Sequence, residues 1–327
     1  MSATRPLHAW TSRAFPVPLP ETHPFPIAKG GLVTARAMTE GILDAREIHD
    51  SRPAPFEWIE RVHEPSYVAR ALTGALDAAE IRRLGMPWSH ELVARARAGV
   101  WGTVCAARAA RVHGVAGNLA GGSHHARRDR AEAYCLFNDL AVAVATLRAE
   151  GAARRPFVAD LDVHQGDGTA AIFAADSTVF TFSMHGERNH PARKERGSLD
   201  VALPDDCGDD AYLAALDRHL PAALERHRPD LVLYQAGVDT LAEDRLGRLA
   251  LTRAGLAARD VFVFERCERV GVPVVVTLGG GYARPIEASI EAHLDVWRAA
   301  RAARDRRPPV DDVVRFDHQG DDGTESR

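Results

Sequence analysis

Short apolar runs alternate with longer amphipathic stretches over much of the chain. The runs are rich in β-branched residues, end in Gly, Asp or His, and cover residues 156–164, 178–185, 231–239 and 272–281. Helical patterns cover residues 138–150, 209–226, 252–270 and 285–304. Alternation of this kind predicts a parallel sheet with helices on both faces. The runs are almost continuously apolar, which is typical of strands that are covered on both faces.

The first part of the chain has a different pattern. Prolines and aromatic residues in the first thirty residues predict an extended segment that wraps the surface. Helical patterns follow at 34–46, 66–74 and 89–111, the last with Ser89 as its N-cap and Gly114 just past its end. Because no Ser/Gly/Pro-rich linker divides the chain, we expect one domain over residues 1–304. The charged, proline-containing residues 305–327 are expected to form a mobile tail.

Composition narrows the functional classes. Apolar residues make up 46% and charged residues 26% of the 327 positions, and the net charge is −4. This balance is ordinary for a globular enzyme and gives no case for direct nucleic-acid or acidic-membrane binding. The chain shows no signal-peptide pattern, its apolar runs are too short for a bilayer, and its four cysteines form no C-x-x-C pair. We therefore expect a cytoplasmic protein without a membrane anchor, a disulfide framework or a cysteine zinc cluster.

Polar residues concentrate where four predicted strands end. The segments are AGGSHHA (120–126), DLDVHQGDG (160–168), QAGVDT (235–240) and TLGGGY (277–282). Ligands of open parallel sheets bind in the crevice beyond the carboxyl ends of the strands. The sequence therefore predicts an active site at this edge.

The segment DLDVH indicates a metal site. Alternate side chains of a strand share one face, so Asp160, Asp162 and His164 are predicted to point together. Asp239, at a neighbouring strand end, completes a set of two carboxylates and one imidazole around Asp162 and His164. Three protein ligands with one open position are typical of catalytic Zn²⁺, and the neutral set also suits Fe²⁺. The alternative is that Asp162 and His164 only bind loop backbone.

Two further segments supply candidate proton donors and acceptors. His124 and His125 follow two glycines, and histidine has the pKa nearest to neutral for proton transfer. Asp160 and Asp167 are candidates to orient these imidazoles. Tyr282 follows three glycines and could donate its hydroxyl to a developing oxyanion, although a packing role is the alternative.

In this order, the motifs HHA, DLDVHQGDG, GVDTLAEDRLG and LGGGY resemble the histone deacetylase family, which has the arginase/deacetylase fold. The resemblance runs from about residue 24 to 297, and FPIAK (25–29), FNDLAVA (137–143) and SMHGE (183–187) look most like class IV and its bacterial relatives. It implies one α/β domain with a central, mostly parallel sheet of about eight strands flanked by helices. It also implies a metal-dependent deacylase, most simply one that acts on Nε-acyl-lysine in proteins.

Site residues follow from the resemblance position by position. It implies Asp162, His164 and Asp239 as Zn²⁺ ligands, His124 and His125 as the catalytic pair backed by Asp160 and Asp167, and Tyr282 as the carbonyl-polarising hydroxyl. A structural K⁺ site is implied at Asp160, Asp162, Ser183 and the carbonyls of His164 and Met184.

The substrate tunnel is expected to involve Gly122, Ala133, Tyr134, His190 and Gly280. Ala133-Tyr134 stands where the family usually has Gly-Phe, and an aromatic residue of the opposite wall is missing, with His190 or Ala192 in its place. This predicts a wider or more polar tunnel and leaves acetyl and longer acyl groups as alternatives. Asp77 and Glu80 are candidates for a carboxylate at the rim.

Other functions remain open at this point. A small acylated amine such as an acetylpolyamine is an alternative substrate, and a non-catalytic acyl-lysine-binding protein is a further alternative. The related ureohydrolases use D-x-H-x-D, whereas this chain has D-x-D-x-H. The sequence does not indicate an oligomeric state.

Overall fold

Eight parallel strands form one central sheet in the computed structural model, which describes residues 5–20 and 22–307. Their order across the sheet is β2-β1-β3-β8-β7-β4-β5-β6. The strands are β1 Ala9–Thr11, β2 Ile48–Asp50, β3 Val115–Asn118, β4 Pro156–Asp160, β5 Phe180–Gly186, β6 Leu199–Leu203, β7 Leu231–Gln235 and β8 Val274–Thr277. The single α/β domain with a parallel sheet is thus confirmed.

Ten helices within the described residues flank this sheet. They are α1 Lys29–Thr39, α2 Phe56–Ile59, α3 Pro65–Thr73, α4 Ala78–Leu84, α5 His90–His113, α6 Asp139–Ala149, α7 Asp167–Phe173, α8 Asp209–His227, α9 Arg253–Arg269 and α10 Glu287–Arg306. The predicted helix at 34–46 is displaced, since α1 ends at Thr39 and a short 3₁₀ turn covers Ala45–Glu47. Every helix over residues 5–20 and 22–307 is too short or too polar to cross a membrane.

Two apolar layers explain why the strands are almost continuously hydrophobic. In β7, Val232 and Tyr234 face the layer formed with α1, α8, α9 and α10. Leu231 and Leu233 face the layer formed mainly with α5 and α6. Since both faces are buried, period-2 alternation is absent from the sequence of these strands.

Helix ends are fixed by side chains that the sequence predicts. Ser89 accepts a hydrogen bond from the amide of Leu92 at the start of α5, and Gly114 ends that helix with φ of 83°. Asn138 and Thr252 cap α6 and α9 in the same way. Helix α10 continues to Arg306, two residues beyond the predicted domain end, and most of the expected tail, residues 308–327, lies outside the described residues.

Four adjacent strands carry the loops that matter for function. β3, β8, β7 and β4 are consecutive neighbours in the sheet, and their carboxyl ends lead into residues 119–126, 278–282, 236–240 and 161–168. All four segments that carried the chemical signal in the sequence therefore lie at one edge, in the middle of the sheet.

Candidate active site

Asp162, His164 and Asp239 converge beyond the ends of β4 and β7. The Nδ1 atom of His164 lies 3.0 Å from Oδ1 of Asp162 and 3.1 Å from Oδ2 of Asp239. One ligand atom from each residue lies within 4.8 Å of the others. The structure thus brings together the three residues predicted as metal ligands.

The prediction that strand alternation brings these side chains together was wrong. Strand β4 ends at Asp160, so residues 161–164 form a loop and strand alternation does not align them. The loop is folded by its own carboxylates, because the amides of Asp162 and His164 donate to Asp160 and Asp162 at 3.2 and 3.0 Å. The amide of Val163 donates to Asp239 at 2.9 Å, which ties the loop to the one after β7.

Backbone and amide donors fix the ligand oxygens. Oδ2 of Asp162 accepts hydrogen bonds from the Gln235 side chain and from the Gly280 amide, both at 2.8 Å. A Cβ at Gly280 would lie 1.9 Å from Oδ2 of Asp239, so only glycine allows the chain to pass this close. Such outer contacts hold metal ligands in place.

The ligand set suits a divalent cation. Asp162 and Asp239 are both buried, and burial together with the charge of Asp162 raises the pKa of Asp239 to about 7. Two buried carboxylates held this close repel each other, and a bound divalent cation would offset that repulsion. Mixed carboxylate and imidazole donors fit Zn²⁺ and Fe²⁺.

Two buried histidines, each backed by a carboxylate, lie beside these ligands. Nδ1 of His124 is 2.7 Å from Asp160, and Nδ1 of His125 is 2.6 Å from Asp167, as predicted. Because Nδ1 is engaged in each ring, Nε2 is the atom left for proton transfer. The two ring centroids are 4.0 Å apart.

Different surroundings separate the two imidazoles. Burial disfavours a charged His124, but Asp160 and Asp162 outweigh this and raise its pKa to about 9. Burial and the neighbouring charge of His124 lower the pKa of His125 to about 3. Arg127 also donates to Asp167 at 2.8 Å, which weakens that carboxylate's pull on a His125 proton. The pair therefore offers one protonated and one neutral ring.

Tyr282 follows β8 and lines the same cavity of about 70 Å³ as His124, His125 and His164. Its amide donates to Asp244 at 2.5 Å, and its carbonyl accepts from Arg245 at 3.1 Å. Burial and nearby carboxylates hold the pKa of its phenol well above the usual 10. Tyr282 therefore remains a hydrogen-bond donor at neutral pH.

Comparison with known proteins identifies the family. The model of the histone deacetylase domain matches residues 23–297. The chain belongs to the histone deacetylase family. It is a hydrolase of the deacetylase/deacylase type.

Proteins similar in sequence to this chain include named members of the same family. The chain is 33% identical to the histone deacetylase-like amidohydrolase of Pseudomonas aeruginosa, over 74% of the chain and 68% of that protein. It is 30% identical to histone deacetylase 2 of Arabidopsis thaliana, over 82% of the chain and 73% of that protein. An uncharacterized protein of Picosynechococcus sp. is 45% identical over 87% of the chain and 95% of its own length.

Solved structures of the family share the fold. A crystal structure of a histone deacetylase homologue complexed with SAHA superposes with a TM-score of 0.80, at 26% identity, over 91% of this chain and 84% of the other. A homologue from Aquifex aeolicus gives a TM-score of 0.79 at 25% identity, over 91% of this chain and 84% of the other.

Lys29 is a site residue of this histone deacetylase family member that sequence reasoning missed. Its side chain is buried, and Nζ donates to the carbonyls of Gly279 at 2.9 Å and Gly281 at 3.4 Å. Nζ also lies 5.5 Å from the centre of the Tyr282 ring. A signal was present, because Lys29 is one of only two lysines in an arginine-rich chain.

The segment FNDLAVA (137–143), which resembles the family, also shapes the loop that carries His124 and His125. Asp139 accepts hydrogen bonds from the amides of Gly122 at 3.1 Å and Ser123 at 2.7 Å. The side-chain amide of Asn138 donates to the carbonyls of His124 and Ala126. Residues outside the cavity thus set the position of the paired imidazoles.

The predicted tunnel residues surround the catalytic cavity. Gly122, Ala133, Tyr134 and Gly280 line the inner part, and Ala133 and Tyr134 both have positive φ. His190 lines the outer part, with its ring centroid 4.9 Å from that of His125. Ala192, the alternative to His190, is absent from the described lining.

The candidate rim carboxylates were wrong. Asp77 caps α4, and the Glu80 carboxylate accepts a hydrogen bond from the amide of Asp77 while pairing with Arg70 at 2.9 Å. Both are therefore occupied at the N-terminus of α4, whereas the other end of the helix reaches the tunnel.

The proposed potassium residues Asp160 and Ser183 lie opposite each other in the pairing of β4 with β5.

Proposed function

We propose that this chain is a metal-dependent deacylase that hydrolyses the amide of Nε-acyl-lysine in proteins. The supporting observation is the convergence of Asp162, His164 and Asp239 beside two carboxylate-backed imidazoles. Zn²⁺ is the proposed metal, with Fe²⁺ able to replace it. A structural K⁺ is proposed at Asp160, Asp162 and Ser183 with the carbonyls of His164 and Met184.

The metal, when bound, would supply Lewis-acid polarisation of the amide carbonyl and of the attacking water. Nε2 of His125 accepts the proton of that water, since its Nδ1 is engaged by Asp167. The Tyr282 hydroxyl donates a hydrogen bond to the developing oxyanion. A protonated imidazole of the pair then donates its proton to the departing amine.

Reconstitution tests this proposal. The purified chain would be stripped with a chelator, reloaded with one equivalent of Zn²⁺ or Fe²⁺, and given acetyl-lysine peptides, long-chain acyl-lysine peptides and acetylpolyamines. We expect cleavage of acyl-lysine peptides that depends on the metal and is blocked by SAHA, the compound bound to the structural relative. Absence of cleavage with one equivalent of metal bound would disprove the deacylase proposal.

Acyl length is measured in the same experiment. His190, whose ring is smaller than that of phenylalanine, lines the outer part of the tunnel, and the additional width supports acceptance of acyl groups longer than acetyl. The proposal is that long-chain acyl-lysine peptides are cleaved at least as well as acetyl peptides. Strict preference for acetyl would contradict it.

A further inference from the structure

The outer cavity of the active site is lined by positive charge. It encloses about 450 Å³ in front of His125, His164 and Tyr282. Its described lining includes four arginines and no carboxylate; the arginines are Arg82, Arg83, Arg188 and Arg248. We call this group the mouth arginines.

Two mouth arginines lie at the end of α4. The carbonyl of Arg83 accepts a hydrogen bond from the amide of Ala133 at 2.9 Å, and the next carbonyl accepts from Tyr134 at 2.7 Å. These bonds hold the helix end against the tunnel wall. Arg82 and Arg83 are exposed, and within the described residues neither forms an ion pair. Their charges therefore face the solvent at the tunnel opening.

The other two mouth arginines share one carboxylate on the opposite side. Arg188 and Arg248 lie 3.5 and 3.3 Å from the same oxygen of Asp205, with 73% and 56% of their side chains exposed. Two cations against one anion leave a net positive charge on this wall. Exposed pairs of this kind are weak, so both guanidinium groups can also contact a ligand.

A second cavity extends the same charge pattern. It encloses about 330 Å³ on the other side of Tyr282 and is lined by Arg245 and Arg284, again without a carboxylate in the described lining. Arg245 is held in place by its hydrogen bond to the Tyr282 carbonyl. Tyr282 therefore faces arginines in both outer cavities, whereas its inner side faces the carboxylates of Asp162 and Asp239.

This pattern is local, because the whole chain has a net charge of −4. An acylated lysine is itself uncharged, so the flanking groups of the substrate meet the mouth arginines. Clefts lined by charge of one sign raise the local concentration of oppositely charged ligands and the rate of association. Acetylpolyamines retain ammonium groups, and these would be repelled.

We propose that the mouth arginines select acyl-lysine within acidic sequence, through carboxylate or phosphate groups that flank the acylated side chain. This proposal rests on the proposed deacylase function. It assigns substrate recognition to the end of α4 and to Arg188 and Arg248, none of which is among the proposed catalytic or metal-binding residues.

Three acetyl-lysine peptides of equal length test it, with flanking Asp/Glu, Asn/Gln/Gly or Lys/Arg. For the zinc-loaded protein at low salt we expect kcat/KM to be about tenfold higher for the acidic than for the basic peptide, with the neutral peptide between them. The difference should shrink as salt rises, since the Debye length is about 10 Å at 0.1 M and about 3 Å at 1 M. A matched small pair, 6-acetamidohexanoate and N-acetyl-1,6-diaminohexane, shows whether a single anionic group suffices.

The double variant R82E/R83E should reverse the order of the acidic and basic peptides. The matched control is R111E/R269E, which changes the same charge in the last turns of α5 and α9, at the opposite edge of the sheet, and should keep the wild-type order. Equal kcat/KM for all peptides, or an unchanged order in R82E/R83E, would overturn the charge proposal and leave the deacylase intact. Failure to cleave any peptide with metal bound would instead disprove the deacylase itself, and the charge proposal with it.

Discussion

At the scale of single residues, the proposed role of Tyr282 as a hydrogen-bond donor depends on a phenol that stays protonated. Burial and the charges of Asp239 and Asp162 raise its pKa, so the phenol does not ionise at neutral pH. We expect Tyr282→Phe to lower kcat by about 10²- to 10³-fold, or about 2.7–4 kcal/mol of barrier, the usual effect of losing one oxyanion donor. Steady-state kinetics on an acyl-lysine peptide measures this.

Tyr134→Phe is the matched control for that substitution. Tyr134 lines the same cavity, and its ring centroid lies 6.3 Å from that of Tyr282. Removing its hydroxyl changes the tunnel wall without removing an oxyanion donor, so kcat should change by less than about threefold. If both variants lose activity equally, the polarising role of Tyr282 is wrong.

At the scale of elements, α1 and the loop after β8 are joined by Lys29. The lysine lies in the first turn of α1, where the helix dipole disfavours a cation, so its position is not explained by helix stability. Instead its ammonium binds the carbonyls of Gly279 and Gly281, on both sides of the residue that donates to Asp162.

Lys29→Met should therefore release the loop that carries Tyr282. The buried carbonyl of Gly281 and the half-buried carbonyl of Gly279 would lose their donor, which typically costs about 1–3 kcal/mol in the free energy of unfolding. We expect kcat to fall, with Lys29→Arg retaining more of it than Lys29→Met. Urea unfolding and peptide kinetics measure both effects; a methionine variant with normal kcat would show that the loop is held without Lys29.

His63 joins two other elements and makes them sensitive to acid. Its Nδ1 donates to the carbonyl of Arg127 at 2.7 Å, and its Nε2 accepts from the amide of Asn138 at 3.0 Å. The bond that Nε2 accepts needs the neutral ring, and burial lowers the pKa of His63 to about 4. Below pH 6.5 the unfolded chain binds this proton more strongly than the folded chain.

Stability should therefore fall as pH drops from about 6.5 to about 4, by up to about 3 kcal/mol from His63 alone. His63→Gln keeps a donor and an acceptor but does not titrate, so its free energy of unfolding should depend less on pH over this window. Urea titrations at pH 7.5 and 5, both in chelator, give the comparison. Parallel pH profiles for the two proteins would exclude His63 as the source.

The sequence predicts secondary structure best for strands that are buried on both faces, because their sequences are long apolar runs. β4, β5, β7 and β8 are such strands, and the loops that follow three of them carry the site. β1 and β2 have only three residues each, too few for a periodic signal, and β2 lies at the sheet edge. The sequence predicts that the side chains of DLDVH point together, but it attributes this to strand alternation. In the structure the carboxylates of Asp160 and Asp162 fold the loop and so direct its side chains.

Features made by distant parts of the chain could not be predicted. Lys29 reaches a loop about 250 positions away, and the mouth arginines come from three separate segments. Their juxtaposition depends on the strand order, which no local pattern contains. The proposed catalytic residues could be selected from the sequence because each lies in its own motif after a strand.

At the scale of the whole molecule, the proposed metal site lowers the stability of the metal-free fold. Asp162 and Asp239 are buried side by side, and without a cation their charges repel each other. Functional sites commonly keep such unfavourable arrangements, which the rest of the fold offsets. The apolar layers on both faces of the sheet supply that stability here.

The repulsion between Asp162 and Asp239 predicts that Asp239→Asn affects the melting temperature differently with chelator and with Zn²⁺. In chelator the variant should melt at the same or a higher temperature than the wild type, because the repulsion is gone while the side-chain oxygen can still accept from Val163. With Zn²⁺ at about 100 times its Kd the wild type should gain about 2.7 kcal/mol, whereas the variant should gain little. Thermal melts with and without Zn²⁺ measure both effects, and Asp210→Asn, at an exposed position in the first turn of α8, is the control for loss of one carboxylate. A variant that melts lower in chelator would mean that Asp239 stabilises the fold directly, and an undiminished zinc response would place the cation elsewhere.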